Sequence, residues 1–269
     1  IELTINATPV RTKNFTWDTS LNISHNKNNV KSISNSDYSV DYIATGDPEI
    51  AGYSSNAQVE RIMEGHPLGT FYTYEWAGYD SNGISVFYKR DPKTGERTGE
   101  TTKDPVDTDR TITGCAQPKV SLGWTNNFKY KNWNLDMFFT GVFGNKIYNA
   151  TSEQYSNVSF VTEGRNVLKS VATDQKASDV QSQAPSDRWL EKGDYLRLST
   201  LSLGYSFGKL GNWVNSLKIY ATCNNLFTIT GYSGRDPEIN LGGLEPGMDR
   251  RTNYYPRTRT YMLGVNVNF

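Results

Sequence analysis

Apolar side chains recur at every second position over long stretches of this chain. From Val120 the apolar set is Val120, Leu122, Trp124, Phe128 and Tyr130, interleaved with Ser121, Gly123, Thr125, Asn127 and Lys129. Trp133, Leu135, Met137, Phe139 and Phe143 alternate in the same way with Asn134, Asp136 and Thr140. Leu217, Ile219, Ala221, Cys223, Phe227 and Ile229 alternate with Lys218, Tyr220, Thr222, Asn224 and Thr228. Shorter runs of the same kind are Ile1, Leu3 and Ile5; Phe15, Trp17, Leu21 and Ile23; and Leu201, Leu203, Tyr205 and Phe207. With a last run from Tyr261 to Phe269, such alternation predicts about seven strands, each with one apolar and one wet face. Several reach the ~9–11 residues of a tilted membrane strand. Leu196 and Leu198 fall out of phase with Leu201 and Leu203, which predicts a bulge there or an exit from the membrane.

The connections alternate in length. Short turns are expected near Asn6–Lys13, Lys131–Asn132 and Gly208–Asn215, and long polar segments at Lys27–Gln117, Asn149–Lys192 and Gly231–Pro256. A soluble sandwich has no reason to gather its long loops at one end. An outer-membrane barrel does, with short periplasmic turns and long extracellular loops. If Phe269 ends on the periplasmic side, counting back places every short turn there. Phe15, Trp17, Phe128, Tyr130, Trp133, Phe207 and Trp213 flank those turns, as interfacial aromatic girdles do. The same rings would also serve as hairpin-core aromatics of a soluble β-protein, and the loop asymmetry favours the membrane.

Composition agrees with strands rather than helices. Mean hydropathy is −0.62 over 269 residues, and no apolar run approaches the ~20 residues of a membrane helix. Acidic and basic residues balance at 28 each, so no net field points to nucleic acid. Two cysteines, Cys115 and Cys223, are too few for a disulfide scaffold. The chain opens inside an alternating segment with neither a start Met nor a signal peptide, which reads as a piece of a longer protein. Seven strands would leave two bare sheet edges, so further strands are expected from an N-terminal part.

Tyr261, Leu263, Val265, Val267 and Phe269 place apolar residues at alternate positions up to an aromatic final residue. This resembles the C-terminal signal by which outer-membrane barrels are recognised for insertion. Longer blocks point to one family. They are Glu64-Gly-His-Pro-Leu-Gly-Thr-Phe-Tyr-Thr-Tyr74, Asp109-Arg-Thr-Ile-Thr-Gly114, Leu135-Asp-Met-Phe-Phe-Thr-Gly141 and Gly144-Asn-Lys-Ile-Tyr-Asn149. Arg188-Trp-Leu-Glu-Lys-Gly-Asp-Tyr-Leu-Arg-Leu198, Leu203-Gly-Tyr205, Asn224-Asn-Leu-Phe-Thr228, Tyr232-Ser-Gly-Arg-Asp-Pro-Glu238 and Tyr255-Pro-Arg-Thr-Arg-Thr-Tyr261 follow in order. Together they resemble the C-terminal part of SusC/RagA-family TonB-dependent receptors, over nearly the whole chain.

The resemblance implies an all-β fold in which residues 1–269 are the C-terminal strands of a transmembrane antiparallel β-barrel. That barrel would have about 22 strands, long extracellular loops and a plugged lumen. It implies residence in the bacterial outer membrane, in contact with its lipid, and import of oligosaccharides or peptides driven by the TonB complex. A SusD-like surface lipoprotein would act as a lid, and the TonB-contacting segment would lie N-terminal to this chain. Many relatives carry an Asp-rich loop suggestive of calcium. Here the stretch Asp91–Asp104 lacks the alternating oxygen-ligand spacing, so neither metal nor cofactor is expected.

No catalytic constellation stands out. There are two histidines, His25 and His66, and no Gly-x-Ser-x-Gly elbow. Glu245 and Asp249 could serve a glycosidase as a carboxylate pair, but a solvated loop face explains them more simply. The chain is therefore not expected to be an enzyme. Phe71, Tyr72, Tyr74, Trp76 and Tyr79 are candidate contacts for substrate or lid, because aromatic faces stack on sugars. Packing of the loop itself is the plainer role for these rings. Two other readings remain at this level: a secreted carbohydrate-binding β-sandwich, and a surface adhesin barrel without a plug.

Overall fold

The computed structural model describes residues 1–50, 57–250 and 255–269. Seven long strands form one antiparallel sheet: β1 (Glu2–Arg11), β2 (Phe15–Ser24), β10 (Val120–Tyr130), β11 (Trp133–Phe143), β14 (Tyr195–Phe207), β15 (Ser216–Thr230) and β16 (Thr260–Asn268). Their order in the sheet follows their order in the chain, so the sheet is an up-and-down meander without crossovers. The turns β1–β2, β10–β11 and β14–β15 lie at one end, and the long connections lie at the other. No helix among the described residues is long and apolar enough to cross a membrane, which says nothing of crossing by strands.

Register puts the alternating apolar residues on one face. Trp124 pairs with Leu21 and Phe139, Leu135 with Leu203, and Ile219 with Tyr205 and Val265. No second sheet covers this face among the described residues: Leu203 is 46% exposed, Ile229 62% and Leu263 88%. That overturns the two-sheet sandwich, which would bury these residues. The opposite face carries Thr140, Ser202, Thr222 and their neighbours, linked by hydroxyl contacts such as Thr222 Oγ1 to Ser202 Oγ at 3.0 Å. Two polar residues do share the apolar face. Asn126 and Thr19 pair there, and their oxygens accept the indole N–H groups of Trp17 and Trp124 at 3.1 and 3.0 Å.

The phase break in β14 is a bulge. Leu198 and Leu201 are three residues apart, yet they oppose Phe139 and Met137, which are two apart, so Ser199 is extra. On the other side Phe227 and Cys223, four apart, oppose the same pair, and Asn225 adopts φ +53°. One extra residue reverses the alternation in β14, whereas two preserve it in β15. That is why the sequence reveals the irregularity in one strand and hides it in the next.

The first turn is shorter than the Asn6–Lys13 expected from sequence. β1 continues to Arg11 and only Thr12–Asn14 turn, closed by Thr12 N–H on Phe15 O at 2.8 Å. Pro9, which reads as a turn residue, sits where the β1–β2 register slips between Ala7 and Val10 on an edge strand. A proline tolerates that position because no ladder hydrogen bond is demanded of it.

The long connections are folded rather than loose. The first holds β3 (Ile43–Thr45), β4 (Glu60–Ile62), β5 (Thr70–Tyr74) and β9 (Arg110–Cys115) as one four-stranded sheet. It also holds β6 (Trp76–Tyr79), β7 (Ser85–Arg90) and β8 (Arg97–Thr102) as another. The second connection carries β12 (Lys146–Tyr148), the short helix α1 (Ala150–Tyr155) and β13 (Leu190–Lys192), with β12 and β13 paired. The third has no strand among its described residues, but Met248 bridges to Tyr148 of β12. The first and third connections include residues 51–56 and 251–254, which lie outside the described residues.

Candidate functional site

The three long connections meet at one end of the sheet around a core separate from the strands' apolar face. Phe71, Tyr148, Trp189, Leu190 and Met248 form it with Val59 and Ala116, and Phe71 lies 6.3 Å from Tyr148, ring to ring. Close backbone approach needs glycine at two places. Gly69 and Gly247 have φ +77° and +80°, and a Cβ would stand 2.5 Å from Pro246 Cγ and from Ala116 Cβ respectively. These contacts sew the segment around Pro67 to the segment around Pro246.

The five candidate aromatics separate by burial. Phe71 is fully buried in that core, and Tyr74 is buried against Phe87 at 5.7 Å. As placed, neither can touch a substrate or a lid. Tyr72 is half-buried and faces Arg61, whose guanidinium lies 3.9 Å from its ring and 3.8 Å from that of Tyr42. Arg61 also holds Asp107 with two contacts at 2.7 and 2.8 Å. Trp76 and Tyr79 meet edge to face at 5.3 Å, and Arg188 lies over both at 4.7 and 5.1 Å. The structure therefore joins Trp76 and Tyr79, and leaves Tyr72 in a separate cation–π stack.

Buried charge organises the rest. Arg197, 2% exposed, projects from the polar face of β14 and donates to Asp236 and to Glu238 (2.6 Å) of the third connection. Its Nε donates to Thr228 Oγ1 at 2.8 Å, and Arg257 closes the cluster on Glu238 at 2.6 and 2.9 Å. Three motifs far apart in sequence thus meet: Tyr195-Leu-Arg-Leu198, Arg235-Asp-Pro-Glu238 and Tyr255-Pro-Arg257. Only the residue types at those places signalled it, since pairing across about 40 positions leaves no periodic trace.

Two acids are buried without such partners. Burial raises the Glu60 carboxyl to about 9, with Glu245 adding to the shift and Arg250 opposing it. Burial also holds Glu153 well above the carboxylate range, opposed by the Tyr148 hydroxyl and Arg188. Glu245 and Asp249 are fixed otherwise. Arg250 donates to Glu245 at 2.7 Å, while Tyr232 and Thr151 donate to Asp249 at 2.5 and 3.2 Å. Asp91 caps a hairpin turn through Lys93 N and Thr94 N. These are the hydrogen bonds of loop architecture, and among the described residues they hold carboxylates against arginines, hydroxyls and backbone amides.

A cleft of about 910 Å³ opens where this assembly joins the sheet, between the ends of β2 and β10 and the strand β9.

No family model matches the chain. It is 30% identical, over its full length, to the TonB-dependent receptor SusC of Bacteroides thetaiotaomicron, and spans 26% of that protein. It is 28% identical to the TonB-dependent receptor P3 of Formosa agariphila, again over its full length, and spans 28% of it. The chain thus covers about a quarter of the length of the curated relatives it matches. Among solved structures, the RagAB peptide transporter superposes with a TM-score of 0.76 at 20% identity, covering all of this chain and 29% of that one. The RagAB peptide importer in its open-open state gives 0.76 at 20% identity, covering all of this chain and 28% of that one. At that identity the superposition shows the fold alone: the seven-stranded sheet and its folded connections match a section of that transporter chain.

Proposed function

From a chain that is homologous over its full length to SusC and other TonB-dependent receptors, we infer a wall section of an outer-membrane nutrient importer. The observation that carries this reading is the two-faced meander. Its exposed apolar face suits lipid, and its polar face suits a lumen. All long connections gather at one end in a folded assembly, which in this reading faces outside the cell. The short turns face the periplasm. Import is driven through the TonB complex, and the solute is an oligosaccharide or a peptide. A SusD-like surface lipoprotein covers the loop end as a lid, with Tyr72, Trp76 and Tyr79 as candidate contacts. The relatives are receptors, and the loop end offers no catalytic arrangement among the described residues.

The test is uptake in the parent bacterium. A strain lacking the gene should fail to take up one class of labelled oligosaccharide or peptide, and removal of TonB should reproduce that failure. A lipoprotein should co-purify with the tagged receptor. Uptake that persists without TonB would contradict the reading, and so would a knockout that only weakens surface adhesion.

A further inference from the structure

The cleft at the join between sheet and loop assembly has an uneven charge. The chain carries 28 acidic and 28 basic residues. Yet the cleft lining holds Lys27, Lys119, Lys146 and both histidines, His25 and His66, and no carboxylate. None of these lysines is in an ion pair among the described residues, where Lys89 pairs with Glu100 and Lys103 with Asp80. Three acids beside the lining accept backbone donors or keep their proton, and none is in salt-bridge contact with these lysines among the described residues. Asp194 accepts the Gly144 N–H at 2.5 Å and Asp187 accepts the Trp76 N–H at 2.8 Å. Glu60, behind Cys115, keeps its proton up to about 9.

The lining also carries four amide side chains, Asn26, Asn28, Asn29 and Gln117. Each amide both donates and accepts, as the hydroxyls of a sugar do. The walls are tied in place across segments distant in sequence. His25 Nδ1 lies 2.6 Å from Lys119 O, Leu68 N–H donates to Asn28 Oδ1 at 2.9 Å, and Val30 N–H donates to His66 O at 2.9 Å. A cleft fixed before its ligand arrives loses less ordering entropy on binding. Its volume of about 910 Å³ falls within the ~300–1,000 Å³ of small-ligand sites.

We propose that this cleft binds a carboxylate-bearing oligosaccharide, with Lys27, Lys119 and Lys146 holding its charge and the amides its hydroxyls. The proposal deepens the import reading by giving the solute a charge, and it rests on that reading for the solute's route. Lys27 and Lys119 are exposed, and although Gly144 lies against the stem of Lys119, glutamine keeps the first carbons of that stem, so both can be changed without disturbing the walls. Lys146 is left alone, because it is half-buried with Gly114 against its side chain.

The experiment is titration calorimetry on the intact receptor in detergent, with trigalacturonic acid, maltotriose and triglutamate as probes. Heat-modifiable migration in electrophoresis confirms that each variant is folded. Trigalacturonate should bind more tightly than maltotriose and weaken with added salt. Lys27→Gln and Lys119→Gln should each weaken it by about 5-fold, the upper range for a partly exposed ion pair. Equal affinity for trigalacturonate and maltotriose would overturn the proposal, as would an unchanged affinity in the folded double variant. Tighter binding of triglutamate would overturn the saccharide assignment. TonB-dependent uptake without carboxylate preference would sink the cleft and spare the import reading. Carboxylate binding without such uptake would do the reverse.

Discussion

Glu60 has both carboxyl oxygens shut off from solvent without a hydrogen-bond partner, in β4 of the loop assembly. In an unfolded chain this carboxyl ionises near 4.5, whereas in the fold it keeps its proton to about 9. Its packing is therefore fully favourable below 4.5 and loses stability as pH rises from there through about 9. At pH 7 the loss is on the order of 3 kcal/mol. Glu60→Gln should keep the shape and remove that dependence. Amide hydrogen exchange in β4 and β5 at pH 7 should slow in the variant and change little between pH 5 and 8 beyond the intrinsic chemistry. Equal protection in both proteins at pH 7 would mean that Glu60 reaches water. Arg197 poses the opposite case, a buried charge that is paired. Asp236→Ala should loosen the third connection by about 3 kcal/mol, because it leaves the guanidinium short of a partner. Faster exchange at Tyr232–Glu238, with β14 unchanged, is the expected signature. Neither case was legible in sequence. A polar stretch gives no sign of which acids and bases it will bury, although loop packing was the plainer role for its rings, and Phe71 and Tyr74 are buried.

Strand by strand, legibility follows the number of residues over which one face stays consistent. All seven long strands were readable because each runs for nine residues or more, so alternation shows even where β1 slips after Ala7 and β14 breaks phase at Ser199. The loop strands β3 to β9 run for three to six residues, too short for alternation to stand out from composition. β16 is the last of the readable strands. Tyr261, Leu263, Val265 and Val267 are 68, 88, 60 and 43% exposed on its apolar face, and Phe269 follows at 81%. We propose that this row is the assembly signal. Deleting Phe269 should lower the yield of heat-modifiable receptor in the outer membrane, while those molecules that assemble import normally. Normal yield would remove the signal from Phe269. On the same strand, Leu263→Arg should cost ~2–4 kcal/mol if it lies near the membrane midplane, and Asn266→Arg on the polar face much less. Urea titration of the receptor refolded in vesicles measures both, and equal costs would mean that the two faces see the same medium.

For the molecule as a whole, the account stands on the claim that one face of the meander meets lipid and the other an aqueous lumen. Both edges, β1 and β16, present unpaired backbone groups, which hydrocarbon does not tolerate. The sheet therefore requires neighbouring strands to complete a barrel. The most direct measurement places a nitroxide at each position from Leu217 to Cys223 in turn, with the native thiols Cys115 and Cys223 otherwise replaced by Ser. The intact receptor is reconstituted in lipid, and collisions with oxygen are compared with collisions with a water-soluble nickel chelate. Oxygen, which partitions into lipid, should peak at Leu217, Ile219 and Ala221, and the chelate at Lys218, Tyr220 and Thr222. A chelate that reached both sets of positions equally would contradict the account.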